Sequence, residues 1–312
     1  MMKTISVSAV ALATLFALAP TAQASTSGSH YSIATEGVEA GTPPPPGYHY
    51  RMYNSFYSAD TLNDANGDEI DNGFDIDVYA QVHRFIHVTD KKIFGANYAY
   101  NVLIPMVDKD MSIDAAGIDA SESFQVGDII LEPLALFWYT PRWDAILAVA
   151  AILPTGDYDA DNPAAIGMGY WSAMVTAGGT YFLDDQRGWS VSVLTRTLYN
   201  GEQDDTNITP GMEFVVEAGI GKNIVVNDKW MVRPGVSLAA SWQISDDDID
   251  GDNPFNAGID EDDHKQVYGF GVEMNAMYMP WLLQANIRYG SDFGAESNAE
   301  GDCINLTFTK SF

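Results

Sequence analysis

The sequence predicts an all-β fold: a transmembrane antiparallel β-barrel of about twelve strands, with short turns on one rim and long acidic loops on the other. Three observations predict it. The chain opens like an exported protein, its remainder divides into short segments of alternating hydrophobicity, and the spacers between them alternate in length and in charge.

Met1-Met2-Lys3 sets one positive charge ahead of an apolar run from Val7 to Ala19, and the small-residue site Ala22-Gln23-Ala24 follows. That is the layout of a secretory signal peptide, with an apolar part too short to span as a helix. Residues 1–24 are therefore expected to be removed on export. Residues 25–47 carry His30, Tyr31 and Ile33 and run into four prolines, Pro43 to Pro46. They are expected either to fold into the lumen as a plug or to hang as a periplasmic tail. Residues 48–312 are expected to form the barrel.

Beyond the leader no stretch of 18 apolar residues occurs, so helical spanning is excluded. With 46% hydrophobic and 12% aromatic residues, the chain can build a packed structure despite a net charge of −28. That charge, with only 15 Lys and Arg spread singly, excludes nucleic acid as a partner. A lone cysteine, Cys303, rules out an intrachain disulfide framework.

The segments run 48–59, 74–87, 93–106, 125–139, 144–154, 171–183, 189–199, 212–225, 230–243, 265–278, 282–291 and 302–312. Most are long enough for a tilted strand to cross hydrocarbon, and an even number leaves both ends on the periplasmic side. In 230–243, Trp230, Val232, Val236, Leu238, Ala240 and Trp242 share one face, opposite Arg233, Gly235, Ser237, Ser241 and Gln243. In 265–278, Tyr268, Phe270, Val272, Met274, Ala276 and Tyr278 oppose Gly269, Gly271, Glu273 and Asn275. In 302–312, Ile304, Leu306, Phe308 and Phe312 oppose Asn305, Thr307, Thr309 and Ser311. Period-two alternation fits a wall with lipid outside and water inside, although a soluble sandwich alternates too.

The spacers separate the two. The long ones are 60–73, 107–124, 155–170, 200–211, 244–264 and 292–301, and the short ones between them centre on Lys91, Pro141, Asp185, Asp228 and Pro280. Outer-membrane barrels pair short periplasmic turns with longer external loops in this way. The six long spacers hold 28 acidic residues and one basic residue, Lys109, while Lys91, Lys92, Arg142, Arg187 and Lys229 lie in or beside the short turns. The chain closes on Thr309-Lys310-Ser311-Phe312, an amphipathic last strand ending in an aromatic, with Lys310 placed to snorkel at an interface.

An ordered set of short motifs resembles one family. Gly41-Thr42-Pro43-Pro44-Pro45-Pro46-Gly47-Tyr48 is similar to its Pro-Pro-Gly approach to the first strand. Gly127-Asp128, Pro133, Leu136 and Trp138 match its Gly-Asp…Pro…Leu…Trp segment, and Pro154-Thr155-Gly156-Asp157-Tyr158 its Pro-Thr-Gly-x-Tyr segment. Trp171-Ser172, Thr180-Tyr181, Tyr199-Asn200, Asn207 and Thr209 follow in order. The family is that of phenol-degradation MetA-pathway proteins, also called SphA-like, and the resemblance covers most of the mature chain. It implies a bacterial outer-membrane barrel that handles aromatic or other hydrophobic compounds. The sequence departs from the family at Ile166-Gly167-Met168-Gly169, where asparagines usually flank the glycine.

No enzyme motif emerges: there is no Gly-x-Ser-x-Gly, no His-Glu-x-x-His and no phosphate-binding glycine loop. His83 reads as one polar lumen residue among several. If apolar faces meet lipid, then Arg51, Asp75, Asp77, Asp128, Glu132, Arg196, Glu213, Glu217, Arg233, Glu273 and Arg288 point inward, because isolated charges are costly at the bilayer midplane. They would form a stiffening ion-pair network, a selective constriction, or both. Segment 144–154 departs from alternation and sets Ile146, Ala148, Ala150 and Ile152 inward, as tight packing or as an apolar track for a hydrophobic ligand. Asp64, Asn66 and Asp68, and Asp246, Asp248, Asp250 and Asp252, offer oxygens of the kind Ca²⁺ prefers, although Glu69 stands where an EF-hand needs glycine. A solvated acidic rim is the preferred account of them.

The leading expectation is an outer-membrane channel for passive uptake of small hydrophobic or aromatic compounds, with no cofactor and with lipid and lipopolysaccharide as neighbours. The alternative is a closed structural barrel whose acidic loops bind divalent ions or envelope partners.

Overall fold

The structure, a computed structural model, describes residues 28–251 and 260–312. The twelve barrel strands are β1 (Gly47–Leu62), β2 (Phe74–Ile93), β3 (Ala96–Ile113), β4 (Ile129–Tyr139), β5 (Trp143–Leu153), β6 (Ser172–Phe182), β7 (Trp189–Asn200), β8 (Glu213–Lys222), β9 (Trp230–Gln243), β10 (Gln266–Tyr278), β11 (Leu283–Glu296) and β12 (Ala299–Ser311). Each pairs antiparallel with its neighbours in the chain, and β1 pairs with β12 to close the sheet. Closure leaves no barrel strand with an unpaired backbone edge in hydrocarbon. Among the described residues no helix is long and apolar enough to cross a membrane, and the helical content is two single turns, Asp114–Ala116 and Met279–Trp281.

Alternation sorts the two faces. On β7, Val191 and Val193 point outward while Ser190, Ser192 and Arg196 are buried inside. Leu147, Val149, Val193, Leu238, Phe270, Val272, Ile287 and Ile304 make an exposed apolar belt around the barrel. Such a belt would be a large sticky patch in water, and it is the wall a membrane protein presents to lipid. Exposed aromatic rings gather at both ends of it: Trp143, Tyr181, Trp189, Trp230 and Trp281 toward the short turns, and Trp171, Tyr199 and Phe293 toward the long loops. Lys310 lies on the outer face, and its ammonium donates to the Trp281 carbonyl at 2.7 Å and its neighbour's carbonyl at 2.6 Å.

Two of the expected long spacers are not loops. β3 runs on to Ile113, turns at Gly117 (φ 65°) and returns as Ile118–Val126, forming a hairpin beyond the wall. β11 and β12 likewise continue until only Ser297 and Asn298 separate them. Above the membrane both faces of a strand meet water, so hydrophobic alternation carries no mark of where the strand ends.

Two neighbouring register breaks flank β4. The β3–β4 register breaks between Ala99 and Asn101, opposite Glu132 and Ala135, and the β4–β5 register breaks between Leu131 and Leu134. Pro133 sits in both breaks and has no N–H to give either ladder. The Tyr98 phenol donates to the Pro133 carbonyl at 2.8 Å.

Residues 28–46 run through the interior. Tyr170 donates to the Gly28 carbonyl at 3.0 Å near the long-loop rim, and Tyr139 donates to the Pro44 carbonyl at 2.5 Å near the short-turn rim. Contacts with strands all round the barrel are possible only for a segment inside it.

Candidate functional site

The lumen is built from one side chain in two along each strand, and its charges converge on residues 28–46. Nine of the eleven charged residues expected to point inward touch this segment or a group that does. Arg51 lies 3.4 Å from Glu36, and Glu132 lies 3.7 Å from Arg84, itself 3.6 Å from Glu36. Glu217 accepts the Tyr31 phenol proton at 2.7 Å and the Glu36 N–H at 2.8 Å, while the Arg196 guanidinium stacks 4.2 Å from the Tyr31 ring and pairs with Glu217 at 2.6 Å. Glu273 accepts the Val38 N–H at 3.2 Å and pairs with Arg288, which donates to the carbonyls of Ala34 and Thr35 at 2.8 and 2.9 Å. Arg233 pairs with Glu39, Glu213 accepts from Ser29, and Asp128 meets His30 at 3.0 Å. Arg84 escaped the sequence reading, yet it faces Arg51 directly across the β1–β2 pair.

Three polar residues expected inside are outside. Asp75 and Asp77 are exposed on the outer face of β2, alternating with the buried Phe74. His83 faces outward as well, opposite Met52 and Ile104. It belongs to a ladder on the outer wall: Tyr50 donates to its Nδ1 at 2.6 Å, and its Nε2–H donates to Gln81 at 3.0 Å. Gln81 and Tyr79 both donate to the Asn54 amide oxygen, at 3.1 and 3.0 Å. The middle of β2 is polar on both faces, so its sequence does not say which face is which.

One sector of the inner wall is apolar. Ala148, Ala135, Ala99, Phe137, Val88 and Ile86 pack together, with Ile146 against them. Ala150 and Ile152 join Met174, Leu198 and Val215, and Tyr31 and Ile33 of the inner segment cover them. All four apolar-track candidates thus lie on the inner face of β5, beside the Pro133 seam.

At the long-loop rim His30 stands between Ser172 (Nδ1 to Oγ, 2.8 Å) and Asp128 (Nε2 to Oδ2, 3.0 Å). The grouping has the members of a Ser-His-Asp triad. Ser172, however, is fully buried and its one hydrogen goes to the Asn200 side-chain oxygen at 2.7 Å, so it has no proton to pass to the imidazole.

The acidic candidates remain scattered. Asp64 accepts the N–H groups of Asn66 and Asp68 at 2.8 and 3.0 Å, closing a turn; these bonds, that of Asp68 foremost, hold its carboxyl below the usual range. Asp246 pairs with His264 at 2.8 Å, and Asp248 pairs with Thr209 in a two-residue ladder. Asp250 donates its N–H to the Asn207 carbonyl, and Asp252 lies outside the described residues. Among the described residues no three such groups converge on a point that would hold an ion.

In fold the chain is similar to an outer membrane channel from Pseudomonas putida F1, with a TM-score of 0.74 and 19% identity over 88% of this chain and 98% of that one. It is also similar to the beta domain of the Bordetella autotransporter BrkA (TM-score 0.47, 10% identity, 86% of this chain and 100% of that one). A third similar structure is the CymD monoaromatic hydrocarbon channel (TM-score 0.39, 10% identity, 86% and 89% covered). No curated protein matches the sequence. Residues 59–308 match the family described as "Putative MetA-pathway of phenol degradation", and the chain belongs to that family.

Proposed function

We propose that the protein is an outer-membrane channel for passive uptake of small hydrophobic or aromatic compounds, kept closed to ions by residues 28–46. The observation that carries this reading is the apolar lining of two clusters, one on β2–β5 and one on β5–β8, set in a lumen otherwise lined with charge. A purely structural barrel has no need of apolar clusters along its inner face. Charge elsewhere in the lumen is paired, within the wall at Arg196–Glu217 and Arg288–Glu273 and with the inner segment at Arg51–Glu36, so ions meet a packed network while an apolar solute meets apolar side chains. The family's link to phenol degradation and the channel character of the Pseudomonas putida relative agree with this use. The seam at Pro133 borders these clusters and offers a sideways route into the membrane, where the register breaks and Pro133 has no N–H to give.

The test is uptake of radiolabelled phenol or toluene by cells expressing the protein, set beside conductance in a planar bilayer. Faster uptake with little or no ion conductance is expected. Uptake equal to that of cells without the protein would overturn the reading.

The filled lumen favours a second reading, a closed barrel acting through its acidic rim, by bridging lipopolysaccharide through divalent ions. Unchanged uptake together with loss of envelope integrity on deletion would favour it.

A further inference from the structure

We propose that His30 is a charged latch: an imidazolium holding the outer end of the inner segment against Asp128 and Ser172, and letting go when it loses a proton. The inference rests on reading residues 28–46 as a plug. It follows from counting hydrogens.

Asn200 donates its amide N–H to the Gly211 carbonyl at 2.9 Å, and a carbonyl can only accept. The Asn200 side-chain oxygen is thereby turned toward Ser172, 2.7 Å away. Two oxygens that close need a hydrogen between them, and it can come only from the Ser172 hydroxyl. Having spent its single hydrogen, the Ser172 oxygen accepts from His30, so Nδ1 carries a hydrogen. On the other side, the Asp128 carboxyl already takes the Gly156 N–H on Oδ1 at 2.9 Å and the Met168 N–H on Oδ2 at 2.9 Å. Those donors stabilise the carboxylate form, so the hydrogen between Asp128 and Nε2 belongs to the imidazole. His30 therefore carries hydrogen on both nitrogens.

The latch is dry: the His30 and Asp128 side chains are 3% and 5% exposed. Tyr170 packs edge-on against the imidazole, with ring centres 4.6 Å apart, and anchors the Gly28 carbonyl. Next to His30, Ser29 donates to Glu213, which Lys265 approaches at 3.6 Å. Loss of one proton sets a nitrogen lone pair against either the Asp128 carboxylate or the Ser172 oxygen, and a buried donor bond becomes a repulsion. Tyr31 and Ile33, the cover over the apolar sector, follow directly in the chain. Release at His30 thus uncovers the outer end of the proposed route.

The test uses full-length protein in nanodiscs, with a nitroxide on Ser32→Cys in a Cys303→Ser background. The label should be immobile while His30 holds both protons and gain a mobile population once base removes one. In His30→Ala and in His30→Gln it should be mobile throughout, both variants being checked for a folded barrel. Nitrogen NMR of His30, assigned by its loss in the variants, should show both ring nitrogens protonated in the immobile state. A label immobile at every pH in the variants would overturn the latch and leave the plug standing. A single protonated nitrogen in the immobile state would also overturn it. A label mobile at every pH in the wild type would remove plug and latch together.

Discussion

Arg51 and Arg84 stand directly opposite each other across the β1–β2 pair, and both reach the carboxylate of Glu36. Like charges directly opposite in a sheet repel, so the wall alone is frustrated at this point. The Tyr53 phenol donates to the same carboxylate at 2.9 Å, which fixes it between the guanidiniums. Glu36→Gln removes the shared counter-charge from a mostly buried site, where breaking an ion pair costs about 3 kcal/mol. The inner segment should leave the lumen more often, seen as ion-conducting openings in a planar bilayer that the wild type lacks. Adding Arg51→Gln should restore much of the closure. Equal silence in both variants would show that Glu36 does not hold the segment.

Gly41 offers a steric test at the other end. A Cβ there would lie 2.3 Å from the Gly179 backbone carbonyl carbon, with no flexible side chain to yield. Gly41→Ala should therefore displace the segment near the short-turn rim and speed protease cleavage between residues 28 and 46. The barrel should keep its thermal midpoint, because its strand pairing does not involve residue 41. An unchanged cleavage rate would mean that the segment is loose there already.

Much of this arrangement was legible in the residues, for a physical reason. Where one face meets lipid and the other meets charge, as on β9 and β10, alternation fixes strand and side together. Nine of the eleven charged residues expected inward then fall on the inner side, and Asp75 and Asp77 do not. The reading failed where that contrast vanishes. β2 carries Arg84 inward and His83 and Gln81 outward, so neither face is apolar at mid-strand. Beyond the wall, β11 and β12 extend by backbone pairing with β10 and β1, with water on both faces. The contacts of His30 with Ser172 and Asp128, 142 and 98 residues away, have no local signature at all.

The outer ladder of Tyr50, His83, Gln81, Asn54 and Tyr79 is tolerable in lipid because each polar group has a partner; the Asn54 amide donates to the Leu306 carbonyl at 3.2 Å. His83→Leu strips the acceptor from Tyr50 and the donor from Gln81. It should destabilise the barrel in lipid vesicles by about 1–3 kcal/mol, the cost of stranded polar groups. The triple change Tyr50→Phe, His83→Leu, Gln81→Leu should recover most of that loss in urea unfolding. A stabilising single variant would show that the ladder is not formed in the membrane.

Acid should loosen the turn between β6 and β7. Asp184 accepts N–H groups from Gly188, Trp189 and Gln186 at 2.7, 2.8 and 3.1 Å, and these bonds, that of Gly188 foremost, hold its carboxyl below the usual range. A carboxyl lowered in the folded state contributes stability above its unfolded value, about 3.9, and loses it as pH falls through the folded one. Asp184→Asn should flatten the stability profile across that acidic window and leave the neutral region less stable than wild type. Parallel profiles for the two proteins would rule out this turn as an acid-sensitive point.

The apolar strip can be tested without touching a charge. Ala148, Ala135 and Ala99 lie side by side on three adjacent strands, and all three are buried. Larger side chains there would stand further into the lumen. Ala148→Leu adds three carbons to this face, and overpacking there should cost about 1–3 kcal/mol of stability. The barrel should still form, since closure depends on backbone pairing around the whole ring. If the strip is the route, aromatic uptake should fall severalfold while the closed barrel stays silent to ions. An equal change on the outer face, Ala151→Leu, meets lipid and should leave uptake intact. If both substitutions slow uptake alike, the loss reflects general stability; if neither does, the solute passes elsewhere.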